Sequence, residues 1–288
     1  MKRFDYLEPR LLEEAIALLQ QHGAALNVLA GGTDLLVEIK EQIRAPAYVM
    51  SLGRLPGLDR LAFDEREGLR IGALVTTRAL ETHPAVNRHY PGLAQALREL
   101  GSIQVRNRAT LAGNICRASP SADTLPPLIA DGAAVTLHGP QGARRVPLEE
   151  FFTGPGKTVL ASAELLTEIV VPPPAPHTGK HYIKHGRRKA MELATVGVAV
   201  CLTVDGERCA DVRISLGAVA PTPMRAKAAE KVLLGKPLQP SLVEEAAEAA
   251  VSESRPISNV RGSAQYRTQM VRVLTRRALE EARRRAAA

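Results

Sequence analysis

Two short runs constrain this chain more than any other feature. The first is Asn27-Val-Leu-Ala-Gly-Gly-Thr-Asp34 and the second is Thr110-Leu-Ala-Gly-Asn114, with Ala109 just before it. In the first, Asn27 to Ala30 reads as a short buried strand, with Val28 and Leu29 as its apolar centre. Ala30, Gly31 and Gly32 then carry almost no side chain, so another backbone or a ligand can come close. Thr33 and Asp34 leave polar groups at the bend, and Leu35 to Lys40 opens a helix. Successive N–H groups at such a bend, next to a helix start, favour an anion. The second run repeats the logic, read as another strand exit. Thr110 brings a hydroxyl, Leu111 and Ala112 a compact apolar step, Gly113 a permissive backbone and Asn114 an amide. Either run also serves as a plain chain reversal without a ligand, and a single Gly-Gly turn does not separate the two readings.

The 288 residues are too many for one small core, and about two or three domains are expected. An apolar content of 45% and a charged content of 24%, with frequent Gly and Pro, fit a soluble α/β protein rich in turns. No apolar stretch is long enough to span a bilayer, and the charged start lacks the apolar core of a signal peptide, so a cytoplasmic location is expected. Cys116, Cys201 and Cys209 form neither a disulfide framework nor a thiolate set for a metal cluster. Cys201, within Val198-Ala-Val-Cys-Leu202, reads as a buried free thiol.

The net charge of +8 is concentrated at the end, where residues 251–288 hold nine Arg against three Glu. Such a tail raises nucleic acid as a partner. With no Trp, four Phe and five Tyr there is little to stack on bases, so a solvated helix or a protein-facing surface is the preferred reading.

The periodicity divides the chain further. Residues 1–57 read as a β-turn-α-β unit, with a helix over Leu11–Leu19 and a strand at Tyr48–Leu52. Residues 58–175 form a second α/β unit, with strands at Gly68–Val75 and Ala133–His138 and helices at Pro91–Leu100 and Leu125–Ala130. Pro172-Pro-Pro-Ala-Pro176 resists both helix and sheet and is the clearest linker. Residues 176–288 then offer three strands (Lys180–Lys184, Thr195–Val204 and Cys209–Val219), a turn at Asp205-Gly206, and helices at Met224–Leu234, Leu242–Val251 and Ser263–Arg284. The fold class is therefore α+β: two α/β subdomains, then a three-stranded antiparallel sheet with helices.

Other routes to a site are poorer. There is no Gly-x-Gly-x-x-Gly fingerprint, and Gly154-Pro-Gly-Lys-Thr158 lacks the spacing of a phosphate loop. His177, His181 and His185 have i, i+4 spacing, but among strand and linker residues this does not converge on a metal. Asp123 precedes a helix and reads either as its cap or as an acceptor for sugar hydroxyls. Asp34 beside an anion is repulsive, and reads instead as a cap or a sugar ligand.

The ordered set of Leu29–Leu35, Ala109–Ile115, Ala118–Asp123, Phe151–Thr158, Tyr182–Arg188 and Arg261–Arg267 resembles the FAD-binding medium subunit of the molybdenum hydroxylases, the xanthine dehydrogenase and aerobic carbon monoxide dehydrogenase type. The resemblance runs nearly end to end. It implies FAD held between the two α/β subdomains, with Asn27–Asp34 and Ala109–Asn114 around the diphosphate. Asp123 would hold ribityl or nearby hydroxyls, Leu165 would pack on the isoalloxazine, and Lys184 would sit at its pyrimidine edge. Leu100 stands where some relatives place an aromatic against adenine, which implies that this stacking is absent. Ala112 replaces a glycine common in the family. The absence of a cysteine-rich insertion argues against the 4-hydroxybenzoyl-CoA reductase branch. The implied role is an oxidoreductase subunit, inactive on the substrate alone. It would take electrons from a small [2Fe-2S] subunit, alongside a large molybdopterin subunit, to NAD, a quinone or another acceptor. The rivals are a stand-alone flavin oxidoreductase and a basic nucleic-acid- or partner-binding protein.

Overall fold

The N-terminal segment alternates strand and helix: β1 (Asp5–Leu7), α1 (Leu12–His22), β2 (Leu26–Leu29), α2 (Leu35–Lys40) and β3 (Tyr48–Ser51). Its three strands are parallel in the order β1-β3-β2, as short crossover helices require. The computed structural model describes residues 2–287.

The second segment opens with β4 (Leu61–Asp64) and β5 (Gly68–Gly72). Six helices follow: α3 (Thr77–Thr82), α4 (Pro84–His89), α5 (Pro91–Glu99), α6 (Ile103–Arg106), α7 (Leu111–Arg117) and α8 (Leu125–Ala130). Then come β6 (Ala134–Gly139), β7 (Gly142–Pro147), β8 (Phe152–Gly154), β9 (Lys157–Thr158) and β10 (Leu165–Val171). Five of these strands form one sheet, β4-β5-β10-β6-β7, in which the late strand β10 sits at the centre. Val135, Leu137, Ile169 and Val171 are fully buried. One core runs through both segments, joining Ala15, Leu19 and Met50 to Leu69, Ile71, Leu111 and Leu128. Two sheets are thus present on either side of residue 57, but not two cores.

The proline linker is extended and pinned: the buried Tyr90 hydroxyl donates to the carbonyl oxygens of Val171 (3.2 Å) and Pro172 (2.9 Å). Beyond it β11 (Thr178–His185), β12 (Val196–Asp205) and β13 (Arg208–Gly217) pair antiparallel. The tight turn falls on Gly206-Glu207, one residue past the expected position. A two-residue strand, β14 (Met224–Arg225), extends this sheet. The expected helix from Met224 therefore begins later, as α9 (Lys227–Leu233). Pro221 and Pro223 hold the approach extended, and the otherwise open edge of β13 takes up the first two residues. Helices α10 (Pro240–Glu253) and α11 (Ala264–Ala286) cover one face, with Val271, Leu274, Ala278 and Ala282 of α11 buried on it.

Arg267 of α11 is 2% exposed and has no carboxylate partner among the described residues. Its guanidinium donates to the carbonyls of Thr195 (2.8 Å) and Ala218 (2.9 Å) and to the Asn259 side chain (2.8 Å). It thereby joins the helix to the start of β12, the end of β13 and the 255–262 loop. Burial lowers its pKa first, and the charge of Arg261 adds to that. Arg267→Met would leave two buried carbonyls without a donor, at about 1–3 kcal/mol each. We expect a stability loss of at least ~2 kcal/mol in urea unfolding; a loss below the measurement error would show that solvent can replace these bonds.

Candidate functional site

The two glycine-bearing runs meet. β2 ends at Leu29, whose carbonyl accepts the Leu52 amide at 3.0 Å, and the chain turns through Ala30–Asp34 into α2. At Gly31 the turn presses directly on the backbone just before the second run: a Cβ there would lie 2.0 Å from the Arg108 carbonyl oxygen and 3.0 Å from Ala109 Cα. Only glycine permits that approach. Gly32 has φ +76°, and a Cβ on it would strike Leu36 and Leu29. Its glycine requirement thus comes from the left-handed turn and local packing, not from space kept for a ligand.

The second run is built differently from its expected form. It is not a strand exit but the start of α7. Thr110 is the N-cap, and its hydroxyl accepts the Gly113 amide at 3.0 Å. Leu111, Ala112 and Gly113 are helical, so the methyl of Ala112 meets no steric demand for glycine. Thr76 and Thr110 form an isolated bridge, and the Thr77 amide donates to the Ala109 carbonyl at 2.8 Å. Arg106, 6% exposed, fixes the approach. It donates to the Leu100 carbonyl (2.8 Å) and to Glu81 (2.8 Å), while its own carbonyl accepts from Thr77 (3.3 Å).

Both runs line a single cleft of about 530 Å³, within the usual range for small-molecule sites. Its wall contains Asn27, Val28, Ala30, Gly31, Gly32, Thr33 and Asp34 from the first run. Ala109, Thr110, Ala112, Gly113 and Asn114 come from the second. The amides of residues 31–34 have no acceptor among the described residues, although buried or cleft-facing N–H groups ordinarily find one. Leu100 and Leu165 supply apolar wall, with Leu52, Ala73 and Val105. Leu29 and Leu111 stand behind the wall as packing residues.

The rim was not foreseen. Glu38 accepts from Arg44 (2.6 Å) and Arg117 (2.7 Å), and Arg117 also faces Asp34 at 3.9 Å. Asp34 does not cap α2 with its side chain. Two guanidiniums thus stand over the turn and offset the charge of Asp34. The only sequence hint was Glu38 four residues after Asp34, on the same side of a short helix. Thr158 and Glu164 also line the cleft.

Asp123 and Lys184 do not reach the cleft wall. They meet each other at 2.8 Å, both nearly buried. The second Asp123 oxygen accepts the Tyr182 hydroxyl at 2.9 Å, and Lys184 also donates to the Glu99 carbonyl at 3.0 Å. Buried charges must pair, and the nearest partners are protein groups. Lys184 thereby bonds to the residue just before the cleft-lining Leu100. Asp123 is therefore neither the helix cap, a place taken by Thr124, nor an open acceptor. The histidines are also separate: His181 contacts Gln95 and His185 contacts Tyr266.

Burial pushes the Asp123 carboxyl up to about 6, against the pull of Lys184 and Tyr182 and with a small upward push from Glu99. The folded-state value lies above the ordinary 3.8. Asp123 therefore favours the folded protein below that lower value, and the contribution is lost as pH rises through about 6. The difference in stability between the protein and Asp123→Asn should change sign-consistently across this window. The carboxyl carbon resonance of Asp123 should titrate near its upper end, and higher still in Lys184→Met. A midpoint at the ordinary aspartate value would contradict the burial argument.

Known proteins can now be set beside this geometry. The family model described as the FAD binding domain in molybdopterin dehydrogenase matches residues 2–174. The CO dehydrogenase flavoprotein C-terminal domain matches residues 181–282. A putative xanthine dehydrogenase FAD-binding subunit of Escherichia coli is 33% identical over 96% of this chain and 95% of its own length. The carbon monoxide dehydrogenase medium chain of Hydrogenophaga pseudoflava is 37% identical over 97% of each chain. Among solved structures, a carbon monoxide dehydrogenase from Hydrogenophaga pseudoflava superposes with a TM-score of 0.95 at 38% identity, covering 99% of this chain and 98% of that one. Quinoline 2-oxidoreductase from Pseudomonas putida does so with a TM-score of 0.92 at 30% identity over the whole of both chains. With one cleft formed by both glycine-bearing turns and matches that run from end to end, the chain belongs to the FAD-binding medium subunits of the molybdenum hydroxylases, the xanthine and carbon monoxide dehydrogenase type.

Proposed function

We propose that this chain holds FAD across the two turns and uses it to carry electrons away from partner subunits. As a member of its family it is an FAD-binding oxidoreductase component that acts within a complex. The observation that carries the reading is the Gly31 contact with Arg108, which sets four unengaged amides of one turn beside the Thr110 cap of the other in one cleft. The residues fit the cofactor: consecutive free N–H groups suit a diphosphate, Arg44 and Arg117 stand over them, and Leu100 and Leu165 offer apolar surface to a flat ring. When bound, FAD supplies the capacity to accept and release electrons.

The chain's own residues orient and tune the cofactor. The first turn and the start of α7 take the diphosphate. Leu165 packs against the ring system. Lys184 acts from behind Leu100: its positive charge, partly cancelled by Asp123, favours any negative charge gained on reduction. In the proposed route electrons come from the [2Fe-2S] clusters of a small subunit, within an assembly that includes a large molybdopterin subunit. They leave to NAD, a quinone or another acceptor. Relatives named as a medium chain and as an FAD-binding subunit support an assembly of several chains. Purification from the source organism should yield three chains together with flavin. A yellow, catalytically complete single chain would favour the stand-alone oxidoreductase instead.

Two variants test the site. Gly31→Ala drives a methyl into the Arg108 carbonyl, an overpacking cost of about 1–3 kcal/mol. FAD affinity should fall roughly tenfold, read as flavin absorbance per protein after dialysis; full retention would separate the contact from the cofactor. Lys184→Met should keep FAD but shift its midpoint potential to more negative values, while Asp123→Asn shifts it the other way. Potentials unchanged in both variants would remove the buried pair from any role in tuning.

A further inference from the structure

A second cleft, of about 610 Å³, lies away from the first, where the second segment meets the C-terminal segment. Its walls come from three separate stretches of chain. Arg88 and His89 end α4, His177 lies in the linker after the prolines, Lys180 is on β11, and Arg284 and Arg285 end α11. Cations at the end of α11 are accounted for by the helix dipole alone. The dipole does not explain why Arg88, His89 and His177, from unrelated elements, face the same space.

Among the described residues, ion pairs with carboxylates do not balance this cluster. Lys180 is neutralised by Asp131 at 2.9 Å. Arg284 and Arg285 share one acid, Glu281, at 2.6 and 2.8 Å. Arg88 is exposed and forms no ion pair among the described residues. Among the described residues, ion pairing thus leaves an excess of two guanidinium charges, with two imidazoles beside them. The rest of the wall is Pro91, Pro174, Ala175, Thr178 and Ala286, which add no negative charge. Arg285 is held in place by donating to the Lys180 carbonyl at 3.0 Å. Neighbouring groups register the field. His181 is pushed down to about 4, by burial first and then by Arg285 and Arg284 against Glu281. His89 is lowered by burial first, then by Arg88 and Lys180, with Glu65 opposing.

From this convergence we infer that the cleft between α4, the proline linker and the end of α11 binds a compact polyanion of the phosphate class, at a site separate from that of FAD. Guanidiniums present paired donors that match phosphate oxygens, so a cleft lined by both Arg88 and Arg284 suits a group with two or more negative charges. Neither arginine is needed for packing, since both are largely exposed.

The test uses the FAD-loaded complex, so that the diphosphate site is already filled, with pyrophosphate and ADP as probes in isothermal titration calorimetry. Pyrophosphate should bind saturably and more weakly at higher salt. Binding should fall at least tenfold in the Arg88→Ala, Arg284→Ala double variant. It should tighten severalfold in Glu281→Gln, which frees both α11 arginines without removing a cation. Flavin content should be the same in all three proteins. Tighter binding of ADP than of pyrophosphate would assign the site to a nucleotide, and weaker binding to an inorganic phosphate. No saturable binding at millimolar pyrophosphate would overturn the inference, as would equal affinity in the parent protein and the double variant. An unchanged affinity in Glu281→Gln would also count against it.

Discussion

The cleft lined by both glycine-bearing runs depends on one contact between two backbones. Gly31 touches the Arg108 carbonyl so closely that a single methyl cannot be inserted. Everything that makes the cleft specific follows from that approach. The first turn is held by its strand and by α2; the second is held by the Thr76 bridge, by the Thr77 bond to Ala109 and by the Arg106 network. Neither turn forms a cleft alone. Pressed together, they leave the amides of residues 31–34 beside the start of α7, with Arg44 and Arg117 over them. The chain thus reaches, with two unlike turns, an anion-directed geometry that many nucleotide folds reach with one glycine-rich loop.

A second constraint joins the C-terminal segment to the rest. Helix α8 is bracketed by Asp123 and Asp131, and β11 runs past it with Lys180, Tyr182 and Lys184 on one face. Each lysine takes one of the two aspartates, and Tyr182 adds its hydroxyl to Asp123. The alternation of a strand places side chains on one face at every second residue, and that period spans the length of the short helix. Buried pairs of this kind add little net stability compared with apolar packing, but breaking either one leaves an uncompensated charge. They act as a register lock between segments. The same lock ties Lys184 to the carbonyl of Glu99, the residue before the cleft-lining Leu100.

Much of this was legible from residue order. The β-turn-α-β opening, the proline linker, the long antiparallel strands and the closing helix all follow from local period and from the positions of Gly and Pro. The ordered motifs pointed to FAD and to the family, and the family matches agree. What local reading missed has identifiable causes. Thr110–Asn114 looked like a strand exit because its small residues suit a turn, yet a threonine cap and a tertiary bridge make it a helix start. Met224–Arg225 has helix-tolerant residues, but the open edge of β13 takes them into the sheet. The rim arginines carry no local signal, because Arg44 and Arg117 come together only through Glu38.

The sequence by itself determined most of the turns, most of the strands and helices, and which residue types could hold a diphosphate, because these depend on near neighbours: backbone freedom, capping and side-chain period. Tertiary structure decided which of those residues face the same space. It brought Gly31 onto Arg108, withdrew Asp123 and Lys184 into a pair of their own, and gathered cations from three elements around a second cleft. Those outcomes depend on long-range packing and on the need of every buried charge for a partner, and neither is encoded in the spacing of neighbouring residues.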